Sequence, residues 1–433
     1  MFICDNISTN DAGHLTFAGK DVTKLAKKYG TPLYLMDEGK VREKCRIYKQ
    51  ALKKYFGQDG GVIYASKACC FKEMYRIMAT EGVDIDVVSV GEIHTAAAAG
   101  YDMSHAHFHG SSKTDADIAY AMDKGVGSFV LDNLEEIEAV EREAKKRGIV
   151  QNCLFRVTPG IDTHTYAAVN TGKIDSKFGF AIETGQAERA LVKILACKHI
   201  KLEGYHCHVG SQVFSENVFE RSAMVMLEFM NAMYDKYGYE GEILDLGGGY
   251  GVPYLKTDAR IDIDVKIRDV AEAIRLTCKK LHMNIPYIMF EPGRSIVADA
   301  GMTIYTAGTL KEIPGYKNYV SVDGGMTDNP RHALYGSQYT CYNASRINEK
   351  HDMLCDLVGK CCESDDIIMD TTRMPAGTKR GDIIAVCTTG AYNYSMASHY
   401  NRIPKPAVVM IKGAKTREVV RRETLDDLMA FDV

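Results

Sequence analysis

Lys67 stands in Tyr64-Ala65-Ser66-Lys67-Ala68-Cys69-Cys70, directly after the apolar Gly61-Val62-Ile63. The pattern reads as the end of a short buried strand, with an ammonium where the core should continue. A buried ammonium without a partner is costly. The amine it becomes is a nucleophile for carbonyls and can form a Schiff base. The other reading is a lysine past the strand end and solvated, because lysine is rarely buried unpaired.

Other residues with chemistry to offer recur along the chain. They include Asp86, Ser89-Val90-Gly91-Glu92, His109-Gly110, Arg156, His206-Cys207-His208 with Ser211, Gly247-Gly248-Gly249, and Glu291-Pro292-Gly293-Arg294. The glycine run departs from G-x-G-x-x-G, so a dinucleotide fingerprint is not met. It can still bare backbone N–H groups to a phosphate, or simply make a tight turn. His206 and His208 share a strand face, as a metal pair would. One buried histidine and one stacked on a ligand or in the core fits better, because the pair falls on strand six while strand one carries lysine. Cys362-Glu363-Ser364-Asp365 sets a thiol beside carboxylates, which suits proton donation rather than attack; a buried thiol before a turn is the plain alternative.

These residues need elements to position them. Short apolar runs occur at 62–66, 83–88, 106–109, 128–131, 153–158, 202–208, 243–246 and 286–290. Amphipathic stretches of helical period separate them, among them 71–81, 133–147, 216–236 and 265–281. Alternating strand and helix implies parallel strands with right-handed crossovers. Eight units over roughly 250 residues have the size of a (β/α)8 TIM-type barrel, with a doubly wound open sheet as the alternative. The chemistry-bearing residues then gather at the C-terminal strand ends, where barrel enzymes keep their active sites. After about residue 301 the runs become β-rich, with Gly, Pro and Asp turns. The expected division is a barrel over 40–300 and a mostly antiparallel β-domain over 301–433, joined by the extended pieces of 1–39. The polar, glycine-containing stretch 164–177 is a candidate to close over the site.

The bulk numbers narrow the class. Of 433 residues, 46% are hydrophobic and 25% charged, with a net charge of -4. That balance gives no reason to expect nucleic acid or an anionic membrane as a partner. No run approaches the ~20 apolar residues of a membrane span, and Met1-Phe2-Ile3-Cys4-Asp5-Asn6 lacks the pattern of a signal peptide. The 13 cysteines are odd in number and include adjacent pairs at Cys69-Cys70 and Cys361-Cys362. Adjacency fits neither zinc spacing nor a secreted disulfide framework, so reduced thiols in a cytoplasmic protein are expected.

Taken together, Tyr64-Ala65-Ser66-Lys67-Ala68, His107-Phe108-His109-Gly110-Ser111-Ser112-Lys113, Ser176-Lys177-Phe178-Gly179, His206-Cys207-His208-Val209-Gly210-Ser211-Gln212, Asp245-Leu246-Gly247-Gly248-Gly249, Glu291-Pro292-Gly293-Arg294, Val322-Asp323-Gly324-Gly325-Met326, Cys362-Glu363-Ser364 and Gly390-Ala391-Tyr392 resemble one family. The chain is similar over its whole length to the decarboxylases of the alanine-racemase fold type that use pyridoxal 5'-phosphate (PLP), and among them to those acting on diaminopimelate. The resemblance implies a Schiff base between PLP and Lys67, with Asp86 pairing with that lysine and His208 stacking on the ring. It implies Glu291 at the ring nitrogen, where a carboxylate keeps the ring protonated and able to take up electrons. Gly247, Gly248, Gly249, Gly293, Ser211 and Tyr392 would hold the phosphate. Arg294, Arg331, Tyr335 and Glu363, with Tyr392, would bind the distal end of the substrate; two arginines and a glutamate complement a carboxylate and an ammonium. Cys362 would return a proton to the carbanion. In the family Cys362 and Glu363 reach the neighbouring subunit's site, so a homodimer is implied. No metal is.

Three stretches depart from the family pattern: Cys69-Cys70 where the motif usually continues with Asn, Gly324 where Ala is usual, and His399 where Asn is usual. The expected reaction is decarboxylation of meso-2,6-diaminopimelate to L-lysine. Sister enzymes acting on ornithine, lysine, arginine or carboxynorspermidine are the nearest alternatives; ornithine enzymes carry aspartate after the cysteine, where this chain has Glu363. A racemase of the same fold type, a non-catalytic PLP carrier and a metal-dependent hydrolase are the more distant ones.

Overall fold

The computed structural model describes residues 2–161, 175–215 and 217–433. Most of the stretch expected to close over the site, 164–174, lies outside the described residues. The chain divides into two compact units.

The first unit comprises 44–251 and 261–295. Among the described residues its barrel strands are Ile63–Ala65, Asp84–Val87, Ala106–Phe108, Ser128–Leu131, Gln151–Thr158, Ile200–His206, Ile243–Asp245 and Tyr287–Met289, all parallel and here numbered one to eight, with the short Phe180–Ala181 added in parallel to the end of strand five. They pair in sequence order. Strand eight returns to strand one through a parallel bridge between Val62 and Phe290. Ile63 N donates to Phe290 O at 2.9 Å and Ala65 N to Pro292 O at 3.1 Å. The sheet is therefore a closed barrel, and the open doubly wound alternative is excluded.

Helices follow each strand because the sequence supplies both stripe and stops. Leu134–Arg147 buries Ile137, Val140 and Ala144 on one face. Asn133 caps it through Glu136 N at 2.8 Å, and Gly148 ends it at φ 64°, a left-handed conformation that glycine adopts freely. Ile263–Leu281 begins likewise at Asp262, whose side chain accepts from Asp264 and Val265. A single turn, Arg294–Val297, follows strand eight.

The second unit comprises 1–43, 252–260 and 296–433. Its main sheet is mostly antiparallel, built around the long strand Gly301–Ile313. Leu33–Asp37 pairs antiparallel with that strand and parallel with Ala407–Lys412. The extended piece Leu15–Phe17 pairs instead with Ile7–Thr9 and Lys20–Asp21 in a separate three-stranded sheet. Leu15 and Phe17 still join Leu33, Leu35, Met302 and Val409 in one core. Residues 252–260 belong here and not to the barrel, because Thr340 Oγ1 donates to Tyr254 O at 2.8 Å and Arg260 donates to Ile3 O at 2.9 Å.

Candidate functional site

Strand one stops at Ala65, and Lys67 sits in the single tight turn Ser66–Ala68 that follows. Its side chain is 44% exposed, with Nζ 3.6 Å from Asp86 Oδ2. Of the two readings, the lysine past the strand end is the one observed: the turn carries residue 67 beyond the core. What is buried is its partner. Asp86 is 1% exposed, and neither of its oxygens accepts a hydrogen bond. The register explains the meeting, since Ala65 pairs with Asp86 across strands one and two.

Glu291 follows strand eight and is buried. His109 Nε2 lies 2.8 Å from its Oε1 and His206 Nε2 lies 3.2 Å from its Oε2. Burial alone would raise the Glu291 carboxyl; the two histidines outweigh it and hold it well below the usual carboxylate range. Asp245 moves the opposite way, pushed well above its ordinary value by burial and then by Glu291. His206 is driven down to about 4, chiefly by burial, and is therefore neutral. Sequence reasoning noticed both histidines at strand ends but did not connect them to Glu291. Only the barrel's closure brings residues from strands three, six and eight together.

The glycine run packs against this cluster. A Cβ on Gly248 would stand 2.0 Å from Glu291 O, and one on Gly247 would stand 2.6 Å from Cys207 O. Gly249 has φ +123° and would place a Cβ 2.1 Å from Gly210 O. Two of the expected phosphate donors are already engaged: Gly247 N–H donates to Asp245 Oδ1 at 2.8 Å and Gly248 N–H to His208 Nδ1 at 3.2 Å. His208 is thus an acceptor at Nδ1, and burial, then Lys67, push it well below its ordinary value. Gly293 lies close over strand one, where a Cβ would be 2.9 Å from that of Ala65. Arg294 Nη2 donates to Ser211 Oγ at 3.1 Å, joining those two residues. Glu92 enters as well. It accepts from Val88 N at 2.7 Å, and burial, then Asp86, push it up to about 7.

The second unit holds two further groups. The buried Arg331 guanidinium lies 5.3 Å from the Tyr335 ring and 5.5 Å from the Tyr392 ring. Among the described residues Cys362 is the exposed thiol. Its N–H donates to Asn401 Oδ1 at 2.7 Å, and Tyr400 OH reaches Glu363 Oε2 at 3.4 Å. Asp366 pins the loop's base, accepting from Met326 N at 2.6 Å and Cys361 N at 2.7 Å.

The departures from the family pattern have local explanations. The Cys69 thiol is buried, and Cys70 Sγ lies 3.1 Å from Tyr75 OH. A Cβ on Gly324 would stand 2.3 Å from Tyr305 Cε1, so that ring fills the space an alanine methyl needs. His399 Nε2 pairs with Glu423 at 2.7 Å.

The barrel set fits a phosphorylated pyridine aldehyde. It offers an amine beside an orphaned buried carboxylate, an ionised carboxylate for a ring nitrogen, and a glycine surface with no room for side chains. His109, His206 and Glu291 have donor atoms within 4.8 Å of one another, as a metal site would. Yet His206 Nε2 hydrogen-bonds to Glu291 Oε2 at 3.2 Å, and His109 Nε2 stands 2.8 Å from Oε1 as an ion-pair contact. Among the described residues no helix is long and apolar enough to cross a membrane.

Comparison with known proteins agrees with this chemistry. The family described as pyridoxal-dependent decarboxylase, pyridoxal binding domain, matches residues 38–298. The chain is 42% identical over 433 residues to the diaminopimelate decarboxylase of Bacillus subtilis, covering 100% of this chain and 98% of that one. It is 42% identical over 426 residues to that of Staphylococcus aureus, covering 98% and 99%. The crystal structure of the M. jannaschii diaminopimelate decarboxylase in co-complex with L-lysine superposes with a TM-score of 0.91 at 30% identity, covering 100% and 99%.

Proposed function

We propose that this chain, which belongs to the diaminopimelate decarboxylase family of pyridoxal-dependent decarboxylases, converts meso-2,6-diaminopimelate to L-lysine and CO2, the closing step of lysine synthesis. The observation that carries the reading is the Lys67–Asp86 pair, 3.6 Å apart, beside the carboxylate Glu291. It occurs in a chain matching relatives of that name from end to end.

When bound, pyridoxal phosphate supplies the electron sink that takes up the pair left behind as CO2 departs. The residues do the rest. Lys67 would hold the cofactor through Nζ, beside the carboxylate of Asp86. Glu291 would face the ring nitrogen and favour a proton there. His208 would lie against the ring. Gly249, Gly293, Ser211, Arg294 and Tyr392 supply phosphate contacts, while Gly247 and Gly248 contribute close backbone approach. Arg331, set between Tyr335 and Tyr392, binds the distal carboxylate with Arg294. Glu363 takes the distal ammonium. Cys362 returns a proton to the carbon that lost CO2.

The domain roles follow from this reading. The barrel unit carries the cofactor, and the β-rich unit carries distal recognition. The exposure of Cys362 and Glu363 supports a homodimer in which they serve the neighbouring subunit's site. Thirteen free thiols support a cytoplasmic location.

Release of CO2 from diaminopimelate by the PLP-loaded protein, abolished in Lys67→Ala, tests the reaction. Restored turnover on mixing Lys67→Ala with Cys362→Ala tests the shared site. If the mixture stays inactive while both variants dimerise, Cys362 acts in its own subunit.

A further inference from the structure

We propose that His109 and His206 are positioning residues for Glu291, one histidine per carboxylate oxygen, holding it aimed and ionised toward the cofactor's ring. The inference rests on the reading of Glu291 given above and deepens it.

The geometry is specific. His109 Nε2 is 2.8 Å from Oε1 and His206 Nε2 is 3.2 Å from Oε2. The imidazoles meet edge to face, with centroids 5.0 Å apart at 74°. Glu291's backbone is fixed as well: its N–H donates to Gly247 O at 2.8 Å, and its carbonyl occupies the space a Gly248 side chain would need. Glu291 is thus held at its carboxylate from strands three and six and at its backbone by the glycine run after strand seven. His109, His206 and Glu291 are all buried. Replacing buried polar clusters with apolar side chains is often neutral or stabilising, so packing alone does not explain two imidazoles here. The titratable and charged groups facing the cluster are Arg156, Asp245, Cys207 and His208, with Asp132 and Glu92 on the His109 side and, more distantly, Asp86. Within this pair burial and Glu291 push the Asp245 carboxyl up, while the two histidines, outweighing burial, push that of Glu291 down.

The test compares His206→Leu and His109→Leu with the donor-keeping His206→Gln and with Glu291→Gln, all loaded with PLP. Leucine should lower kcat roughly tenfold to a hundredfold, the usual loss when a group's orienting partner is removed. KM for diaminopimelate should stay within about twofold, since distal recognition is untouched. Glutamine at 206 should recover much of the loss. A second readout needs neither cofactor nor turnover. The infrared difference between wild-type apoprotein and Glu291→Gln, each also carrying Asp245→Asn so that Asp245 adds no band, should lack a protonated-carboxyl band near neutral pH, whereas the same difference in a His206→Leu background should show one.

Leucine variants with wild-type kcat and no new band would overturn the proposal, as would a protonated Glu291 in the wild type. Stoichiometric zinc uptake by the apoprotein that His206→Leu abolishes would also overturn it, making the trio a metal site. If the leucine variants do not fold, the wild-type infrared comparison still decides. Full activity in Glu291→Gln would instead defeat the assignment of Glu291 itself; an inactive Glu291→Gln beside unaffected histidine variants would defeat only the positioning.

Discussion

Replacing Gly248 with alanine adds one methyl group at the tightest approach between strands seven and eight. The new Cβ would stand 2.0 Å from Glu291 O and 2.8 Å from Glu291 C. Ordinary contact begins at 3.4 Å, so the two backbones must part by about 1.4 Å. Glu291 cannot yield freely, because its N–H donates to Gly247 O at 2.8 Å and its side chain meets His109 and His206. Overpacking of this kind costs about 1–3 kcal/mol. A carboxylate moved on the ångström scale costs roughly a hundredfold in turnover. Gly125→Ala is the control: it has φ +72° and nothing within 4 Å of its Cβ. It should lose about 1–2 kcal/mol for a left-handed alanine and keep its turnover. Denaturant titration, PLP titration by absorbance and CO2 release measure the three quantities. Gly248→Ala with wild-type stability and turnover would refute the cradle as described.

Further outcomes can be checked alongside. Cys362→Ala should keep the visible absorbance of lysine-bound pyridoxal yet lose most turnover; a variant that turns over normally would remove Cys362 from the chemistry. Glu136→Leu strips the partner from Lys113, an ion pair of 2.7 Å with both side chains 1% exposed. Breaking such a pair costs about 3–5 kcal/mol, read as a lower denaturation midpoint; an unchanged midpoint would count against it. Glu92 has its carboxyl raised from 4.5 to about 7 by burial and by Asp86. The folded state therefore holds a proton that the unfolded chain has lost between those values. This contribution is complete below 4.5 and declines as pH rises toward 7, by on the order of 3 kcal/mol. Glu92→Gln should flatten stability between about pH 4.5 and pH 7; parallel wild-type and variant profiles would contradict this.

Much of the barrel was legible because each strand is a short apolar run between helices that carry their own caps. Strand five begins at Gln151 rather than at Cys153 because Gln151 turns its amide onto Val126 O and Gly127 O, which periodicity cannot register. Ile367–Pro375 was not expected as a strand, since polar Asp370, Thr371 and Thr372 interrupt it and Thr371 sits at φ 52°. The position of Lys67 after strand one was legible but its depth was not, because a single turn beyond Ala65 decides its exposure. The cluster around Glu291 was visible as residue types but not as contacts. Which strand-end side chains meet depends on closure between strands one and eight, and no local window contains that. Asp366 escaped notice because its work is done through the backbones of Met326 and Cys361.

The measurement that bears most directly on the account is CO2 release by the PLP-loaded protein from diaminopimelate, ornithine, L-lysine and arginine in parallel. On the proposed reading Arg331, Arg294 and Glu363 complement an end bearing both carboxylate and ammonium, and an amine-only end brings the two guanidinium groups no carboxylate. Diaminopimelate should exceed every other substrate in kcat/KM by about a hundredfold or more. Faster turnover of ornithine or L-lysine would contradict the assignment.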